Sequence, residues 1–242
     1  YDLTKFKPTK KKEIVRYKPS KNEANKYDNY IIDNNVNFLV INKPSGIPVQ
    51  AGTKAFKNII DILKDTKFFN EQKPYIVHRL DKDTSGLLLV AKNREYAQLF
   101  TSLFRIRKVH KNYLAVVVGE VTPKKDTLIN ELVSYENDKK VFSKAITHYS
   151  VLDYNNKYSL LKLNPQTGRK HQLRKQLLII GNPILGDEKY RISRNSHRQS
   201  SLLMLHAYKI NFSINNIKYN FTAEIPKSFK DVLDEKYLKI RS

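Results

Sequence analysis

The residues Leu87-Leu88-Leu89-Val90-Ala91 form an apolar run that no polar position interrupts. A run of this kind, bounded upstream by turn residues, is a strand covered on both faces, so the chain must supply apolar layers on either side of it. Directly before it stands His78-Arg79-Leu80-Asp81-Lys82-Asp83-Thr84-Ser85-Gly86, and before that the short segment Tyr75-Ile76-Val77. The polar stretch is therefore a turn fixed in place by a rigid strand. Gly86 admits a backbone conformation that other residues resist, while Thr84 and Ser85 can bond neighbouring backbone groups and hold the loop shut. Asp81 is the candidate nucleophile of this turn. Taken alone, the stretch fits better as an ordinary polar loop between strands, and the remaining segments have to decide.

Other strands and helices can be read in order. Phe38-Leu39-Val40-Ile41, stopped by Lys43-Pro44-Ser45-Gly46, reads as a buried strand entering a turn. Ile59, Ile62 and Leu63 fall on one helical face, as do Tyr96, Leu99, Phe100, Leu103 and Phe104 in a helix from about Arg94. Residues 111 to 119 are rich in β-branched and aromatic side chains and close on Gly119, which predicts a strand buried on both faces. Further strands are expected at residues 145 to 152 and 158 to 163. The turn Asn164-Pro165-Gln166-Thr167-Gly168 then leads into a helix with Leu173, Leu177 and Ile180 on one face, capped by Gly181. Residues 205 to 212 and 218 to 223 read as a hairpin around Asn215-Asn216, and Phe229, Val232 and Leu233 as a closing helix. Strands outnumber helices and several are joined by short turns, so the expected fold class is α+β, a mostly antiparallel sheet flanked by helices.

Composition bounds what such a domain can bind. The 242 residues are 40% apolar, enough for a core, and hold 45 Lys and Arg against 23 Asp and Glu, a formal charge of +22. A chain this basic is expected to bind a polyanion, although Lys is abundant everywhere together with Asn, Ile and Tyr, so part of the charge reflects a general compositional bias. No stretch reaches the apolar length that spans a bilayer, and no basic amphipathic helix is evident, so nucleic acid is favoured over a membrane. There is no cysteine, and the six histidines do not cluster in sequence, so no metal is expected. No coiled-coil repeat is present and a monomer is favoured. Residues 1–28 are lysine-rich and interrupted by Pro8 and Pro19, and read as a basic arm; residues 29–242 form the globular domain. The sequence opens on Tyr1 and not on methionine, and further residues are expected upstream.

Three ordered stretches resemble the pseudouridine synthases of the large RNA-modifying family that acts mainly on bacterial large-subunit ribosomal RNA. The first is His78-Arg79-Leu80-Asp81 with Thr84-Ser85-Gly86. The second is Lys111-Asn112-Tyr113-Leu114-Ala115 with Gly119, and the third is Thr167-Gly168-Arg169-Lys170-His171-Gln172-Leu173-Arg174. Asn42-Lys43-Pro44-Ser45-Gly46, Asn182-Pro183-Ile184-Leu185-Gly186-Asp187 and Leu205-His206-Ala207 also match in order. Two positions depart from the pattern: Gln176 stands where the family carries histidine, and Arg191 where glycine is expected. The resemblance also offers an alternative for the arm, since Glu13-Ile14-Val15-Arg16-Tyr17 is similar to the last strand of an S4-type RNA-binding domain, here truncated.

The resemblance implies isomerisation of a uridine in RNA, most readily large-subunit ribosomal RNA, in the cytoplasm and without a cofactor. The target nucleotide must be flipped from its stack at a cost of about a few kcal/mol. Asp81 then attacks the ribose or takes a proton from it, and in either role must be ionised although burial favours its neutral form. Arg174 is implied as its counter-charge through a bidentate pair, with Arg169 as the competitor for that role and otherwise a phosphate contact. Tyr113 would carry the loose base, stacking being worth roughly 1 to 3 kcal/mol; without the resemblance it reads as core packing. Arg79 would contact RNA in the gap left by the flipped base, and Leu173 would wall the uracil pocket. His171 and Gln172 would be hydrogen-bonding supports of the substrate site, and His78 would support the turn. A non-catalytic RNA-binding assembly factor is the first competing reading, disfavoured because Asp81, Tyr113 and Arg174 are all present. A hydrolase using His78 and Asp81 is the second, and it leaves the arginines unexplained.

Overall fold

The computed structural model describes residues 17–51, 57–69, 73–136, 139–192 and 202–240. The chain runs α1 (Lys21–Lys26), β1 (Ile31–Asn34), β2 (Phe38–Lys43), α2 (Ile59–Lys64), β3 (Tyr75–Ile76), β4 (Ser85–Ala91), α3 (Arg94–Arg105), β5 (His110–Val118) and β6 (Lys125–Glu136). It continues through β7 (Lys139–Tyr154), β8 (Tyr158–Pro165), α4 (Gln172–Ile179), β9 (Leu205–Ile214), β10 (Ile217–Thr222) and α5 (Lys227–Glu235). Among the described residues the strands form one sheet in the order β1-β2-β4-β9-β5-β8-β7-β6, with β10 added on β9 and β3 on β4. The β4–β9 pair is parallel and the other described pairs are antiparallel, which is the α+β architecture expected from the sequence.

β4 is the strand announced by the apolar run, and all of its residues are buried. Leu88 and Val90 pack with Leu39 and Ile41 of β2 against Ile59, Ile62 and Leu63 of α2. Leu87, Leu89 and Ala91 pack on the other face with Phe38, Val40, Phe100 of α3 and Phe212 of β9. Each fully buried side chain of this size contributes about 1.5–3 kcal/mol, so the strand that ends the Asp81 turn is among the most firmly held parts of the chain. A third cluster joins β5 and β8 to Leu173 and Leu177 of α4 and to Phe229 and Leu233 of α5. Side chains start three of the helices: Ser20 Oγ accepts from the Glu23 N–H at 3.2 Å, the Asn58 amide oxygen from the Asp61 N–H at 3.0 Å, and that of Asn93 from the Tyr96 N–H at 2.9 Å.

The parallel junction is the feature that locates the site. Ala207 of β9 is in register with Gly86 of β4 on one side and with Tyr113 of β5 on the other. A Cβ on Gly86, whose φ is +108°, would lie 2.2 Å from the Ala207 carbonyl oxygen, so only glycine lets these two backbones meet. The β5 register shifts between Asn112 and Tyr113, an irregularity of the kind that re-aims a side chain. The Asp81 turn and Tyr113, 32 positions apart in sequence, are thereby brought to the same end of the sheet.

Several expectations need correction. Residues 17–28 belong to the folded body: Tyr17 and Tyr27 pack against the α2 cluster, and Ser20 caps α1, so the arm cannot extend to residue 28. The strand expected from Glu13 to Tyr17 lies, except for Tyr17, outside the described residues. Ser85 does not bond neighbouring backbone; its hydroxyl meets His206 Nδ1 at 2.9 Å across the sheet. Ile180 is not on the buried face of α4 but exposed at its C-cap, because the helix has already ended. β6 has no counterpart among the strands expected from the sequence. Its apolar residues come in pairs, Leu128-Ile129 and Leu132-Val133, which breaks the alternation that marks a half-buried strand. No helix of the described residues is long and apolar enough to cross a membrane.

Gly86→Ala combines a disfavoured backbone angle with a backbone clash, and is expected to lower stability by roughly 3 kcal/mol or more. Urea unfolding of the two proteins measures it, and a change below about 1 kcal/mol would show that the junction relaxes easily.

Candidate active site

The Asp81 turn is clamped from below and from both sides. The Thr84 N–H closes it on the Asp81 carbonyl at 3.2 Å, the Gly46 N–H donates to the Lys82 carbonyl at 3.0 Å, and Ser45 Oγ donates to the Asp83 carbonyl at 2.7 Å. Lys43, at the end of β2, is fully buried beneath it. Its Nζ donates to the carbonyls of Pro44 at 2.8 Å, Ile47 at 2.9 Å and Lys82 at 3.0 Å, one acceptor for each ammonium proton. Burial pushes Lys43 down to about 7, with the charges of Asp83 and Asp81 opposing that shift. At the start of the turn His78 Nε2 accepts the Leu89 N–H at 2.8 Å, and its ring lies on Phe104 with centroids 4.8 Å apart. Burial and the nearby Lys111 charge hold His78 down to about 3, so it is a neutral acceptor and a support of the turn, as the sequence reading has it.

Arg174 projects from α4 to the Asp81 carboxylate, with Nη1 3.3 Å from Oδ2. The bidentate pair expected between them is instead made with Asp187: Nε donates to Oδ2 at 2.6 Å and Nη2 to Oδ1 at 2.7 Å. The Asp187 Oδ1 also accepts the N–H groups of Lys189 and Tyr190 at 2.9 Å each, and the Arg174 guanidinium lies 5.0 Å from the Tyr190 ring centre. Burial works against the charge on Arg174, but the hydrogen bonds and charge of Asp187, followed by those of Asp81, outweigh it and raise its pKa. The Asp187 side chain is fully buried, whereas that of Asp81 is 28% exposed. The expected burial of Asp81 is thus incomplete: one carboxylate is locked inside and the other is open to the cleft.

The remaining candidates divide by geometry. His171, in the left-handed region at φ 55°, bonds Tyr190 Oη through Nδ1 at 2.9 Å and brings Nε2 to 3.7 Å from Asp81 Oδ1. It therefore stands beside Asp81 itself. Burial lowers its pKa against the pull of Asp81, which favours the neutral ring. A small cavity of about 110 Å³ is lined by Asp81, Tyr113, Leu173, Arg174 and Leu205. Burial, then the Asp81 charge, raises the Tyr113 phenol pKa, so the ring is uncharged at neutral pH. Arg79 and Arg169 line the same cavity and are exposed at its rim, with Arg169 Nε donating to the Lys144 carbonyl at 3.2 Å. Arg169 makes no contact that would let it replace Arg174 as counter-charge.

Gln172 gives its hydrogen bonds to the scaffold. Its Oε1 accepts Thr167 Oγ1 at 2.7 Å and the Arg169 N–H at 3.0 Å, while Nε2 donates to Thr147 Oγ1 at 2.9 Å and to the Ile146 carbonyl at 3.1 Å. All of its hydrogen-bonding capacity fastens the 167–169 turn to β7. Gln176, at the position where histidine was expected, is likewise enclosed, bonding Thr147, Asn130 and the Leu128 carbonyl. That departure is absorbed by the scaffold that carries α4. Asp187, Tyr190 and Lys43 were given no role in the sequence. Asp187 and Lys43 lie in segments that match the family pattern, and the usable signal is a lysine at the end of a strand that opens on four apolar residues.

A family model for RNA pseudouridylate synthase matches residues 37–178. Ribosomal large subunit pseudouridine synthase D of Borreliella burgdorferi is 36% identical over 223 residues, covering 86% of this chain and 68% of that protein. tRNA pseudouridine synthase C of Haemophilus ducreyi is 32% identical over 197 residues, covering 72% and 81%. The solved structure of human RNA pseudouridylate synthase domain containing 4 superimposes with a TM-score of 0.78 at 27% identity, over 90% of this chain and 97% of that one. The chain belongs to the RNA pseudouridylate synthase family. It is an isomerase that acts on uridine in RNA.

Lys43 gives the site's support a pH signature. Between its folded value of about 7 and the ordinary lysine value near 10.5, the unfolded chain binds more protons than the folded one, so this group's contribution to stability rises with pH across that window. The stability deficit of Lys43→Met relative to the parent should accordingly widen from pH 7 toward pH 10 in urea titrations, shared tyrosine titrations cancelling in the difference. A deficit that narrows over that range contradicts the assignment.

Proposed function

We propose that the chain isomerises uridines of large-subunit ribosomal RNA and that Asp81 is the residue that acts on the ribose of a flipped-out nucleotide. The observation that carries this reading is the partly exposed Asp81 carboxylate, held 3.3 Å from a guanidinium that a second, buried carboxylate fixes in place. The formal charge of +22 supports a polyanionic substrate, and the similarity to a relative named for large-subunit ribosomal RNA supports that RNA. A cytoplasmic monomer goes with this reading.

Each group then has a task. Asp81 either attacks C1′ of the ribose or removes a ribose proton, and the N1–C1′ bond breaks. Arg174 faces the carboxylate throughout and supplies the counter-charge that water would supply outside the cleft. The freed uracil turns over on the ring of Tyr113, against the wall formed by Leu173. A bond forms from C5 to C1′ as the Asp81–C1′ bond breaks or the ribose proton is returned by Asp81, the proton on C5 leaves, and N1 takes one up, so the atoms balance with no oxidant and no cofactor. His171, neutral beside Asp81, offers a hydrogen bond without adding a second charge. Arg79 reaches RNA in the gap that the flipped base leaves, Arg169 contacts phosphate, and Gln172 holds the turn from which Arg169 projects. The alternative of an RNA-binding factor without catalysis leaves the Asp187-Arg174-Asp81 arrangement without a use.

Because C5 loses its proton, ribosomal RNA carrying uridine tritiated at C5 should release label in proportion to turnover. Asp81→Asn is expected to lower release at least about a thousandfold while RNA affinity stays within about twofold. No release by the parent protein, full-length at its amino end, would sink the reading.

A further inference from the structure

Beside the Asp81 cleft runs a second groove, of about 470 Å³, between the end of α3 and the start of β5. Arg79, Lys111, Tyr113 and Arg169 line both, so the two are continuous. Arg105 and Arg107 extend it away from Asp81, with Phe104 on its wall. No carboxylate is found among the described residues that line this groove. The wider cleft around Asp81, by contrast, also holds Asp83, Asp187 and Glu188. One sign of charge along this groove calls for an anionic ligand.

Two details mark these cations as more than a solvated surface. Arg107 sits at φ 61°, where the Arg107 N–H closes on the Phe104 carbonyl and the Lys108 N–H on the Leu103 carbonyl to end α3. Glycine is the unstrained residue at such a helix end, and here an arginine is held there with its side chain exposed. Lys111 is half-buried in the groove, its ammonium 5.8 Å from the Phe104 ring centre, and burial lowers its pKa with no carboxylate acting against the shift. A cation partly stripped of water and given no acidic partner is suited to a phosphate that arrives with the substrate.

We infer that this groove is a second RNA subsite, in which Arg105, Arg107 and Lys111 hold the phosphodiester backbone of a single-stranded segment flanking the uridine in the Asp81 cleft. The inference rests on the proposed function and adds the path that the strand takes as it leaves the cleft. It assigns to the end of α3 a share in RNA affinity that does not depend on the flipped base.

The test uses equilibrium binding to a single-stranded heptaribonucleotide with one central uridine, and to uridine monophosphate. Arg105→Ala with Arg107→Gly removes two cations while giving the helix end its preferred residue, so the thermal midpoint should stay level or rise. Heptanucleotide affinity should fall about tenfold or more, and the slope of log Kd against log salt should shrink by about 1.4, near 0.7 for each lost phosphate contact. Affinity for uridine monophosphate should not change. Lys218→Ala with Lys227→Ala removes equal charge outside the groove and should have a small effect on both. An equal loss in that control, an equal loss for the mononucleotide, or no loss in the groove variant would each overturn the subsite. The readout needs no turnover, so absence of tritium release would count against Asp81 as the catalyst and leave the groove result to stand on its own.

Discussion

One guanidinium shared by two carboxylates holds the site together. Arg174 gives its two better hydrogen bonds to Asp187, which water does not reach, and its third and longest to Asp81, which the cleft exposes. A buried pair of this sort is not chiefly a source of stability, since desolvation consumes much of the Coulomb gain, but losing one partner would cost about 3–5 kcal/mol. Asp187 therefore works as an anchor. With Asp187 in place, Arg174 cannot swing out to meet Asp81, and Asp81 faces a charge whose position is set before any RNA arrives.

The fold delivers Asp81 to that charge with equal rigidity. The strand after the turn is buried on both faces, Gly86 allows it to touch Ala207, and Ala207 is in turn registered against Tyr113. Lys43 draws three carbonyls around a single nitrogen under the turn, and His78 ties its first residue to β4. The carboxylate, the aromatic ring and the guanidinium thus come from the turn before β4, from β5 and from α4, which meet at one end of the sheet. Motion that separated any one of them would have to break a sheet register or empty a packed cluster, which leaves side-chain adjustment as the cheap response to a ligand.

Much of this was legible in the residues, and the failures have physical reasons. Continuous apolar runs announced β2, β4 and β5, because a strand covered on both faces leaves no room for a polar position. Asn215 and Asn216, both at positive φ, announced the β9–β10 turn. β6 escaped because its apolar residues are paired and do not alternate, and the end of α4 was overrun because Ile180 keeps the helical spacing one residue beyond the last turn. At the site, the residue types at 81, 113 and 174 could be named, but a pairing between residues 174 and 187 is a fact of tertiary geometry, and sequence offers two carboxylates without saying which one Arg174 grips. The partners of Gln172 were hidden for the same reason: an amide in this segment reads alike whether it bonds a ligand or Thr147 and Thr167.

Arg174→Lys examines the shared guanidinium most directly. Lysine keeps the charge but has a single head, and cannot grip Asp187 through two nitrogens while presenting a third to Asp81. If the arrangement is the source of activity, single-turnover measurement should find the rate of isomerisation lowered about a hundredfold or more, with RNA affinity within about twofold of the parent. A rate within about threefold of the parent, at unchanged affinity, would mean that positive charge alone suffices and that the fixed geometry is not what makes Asp81 effective.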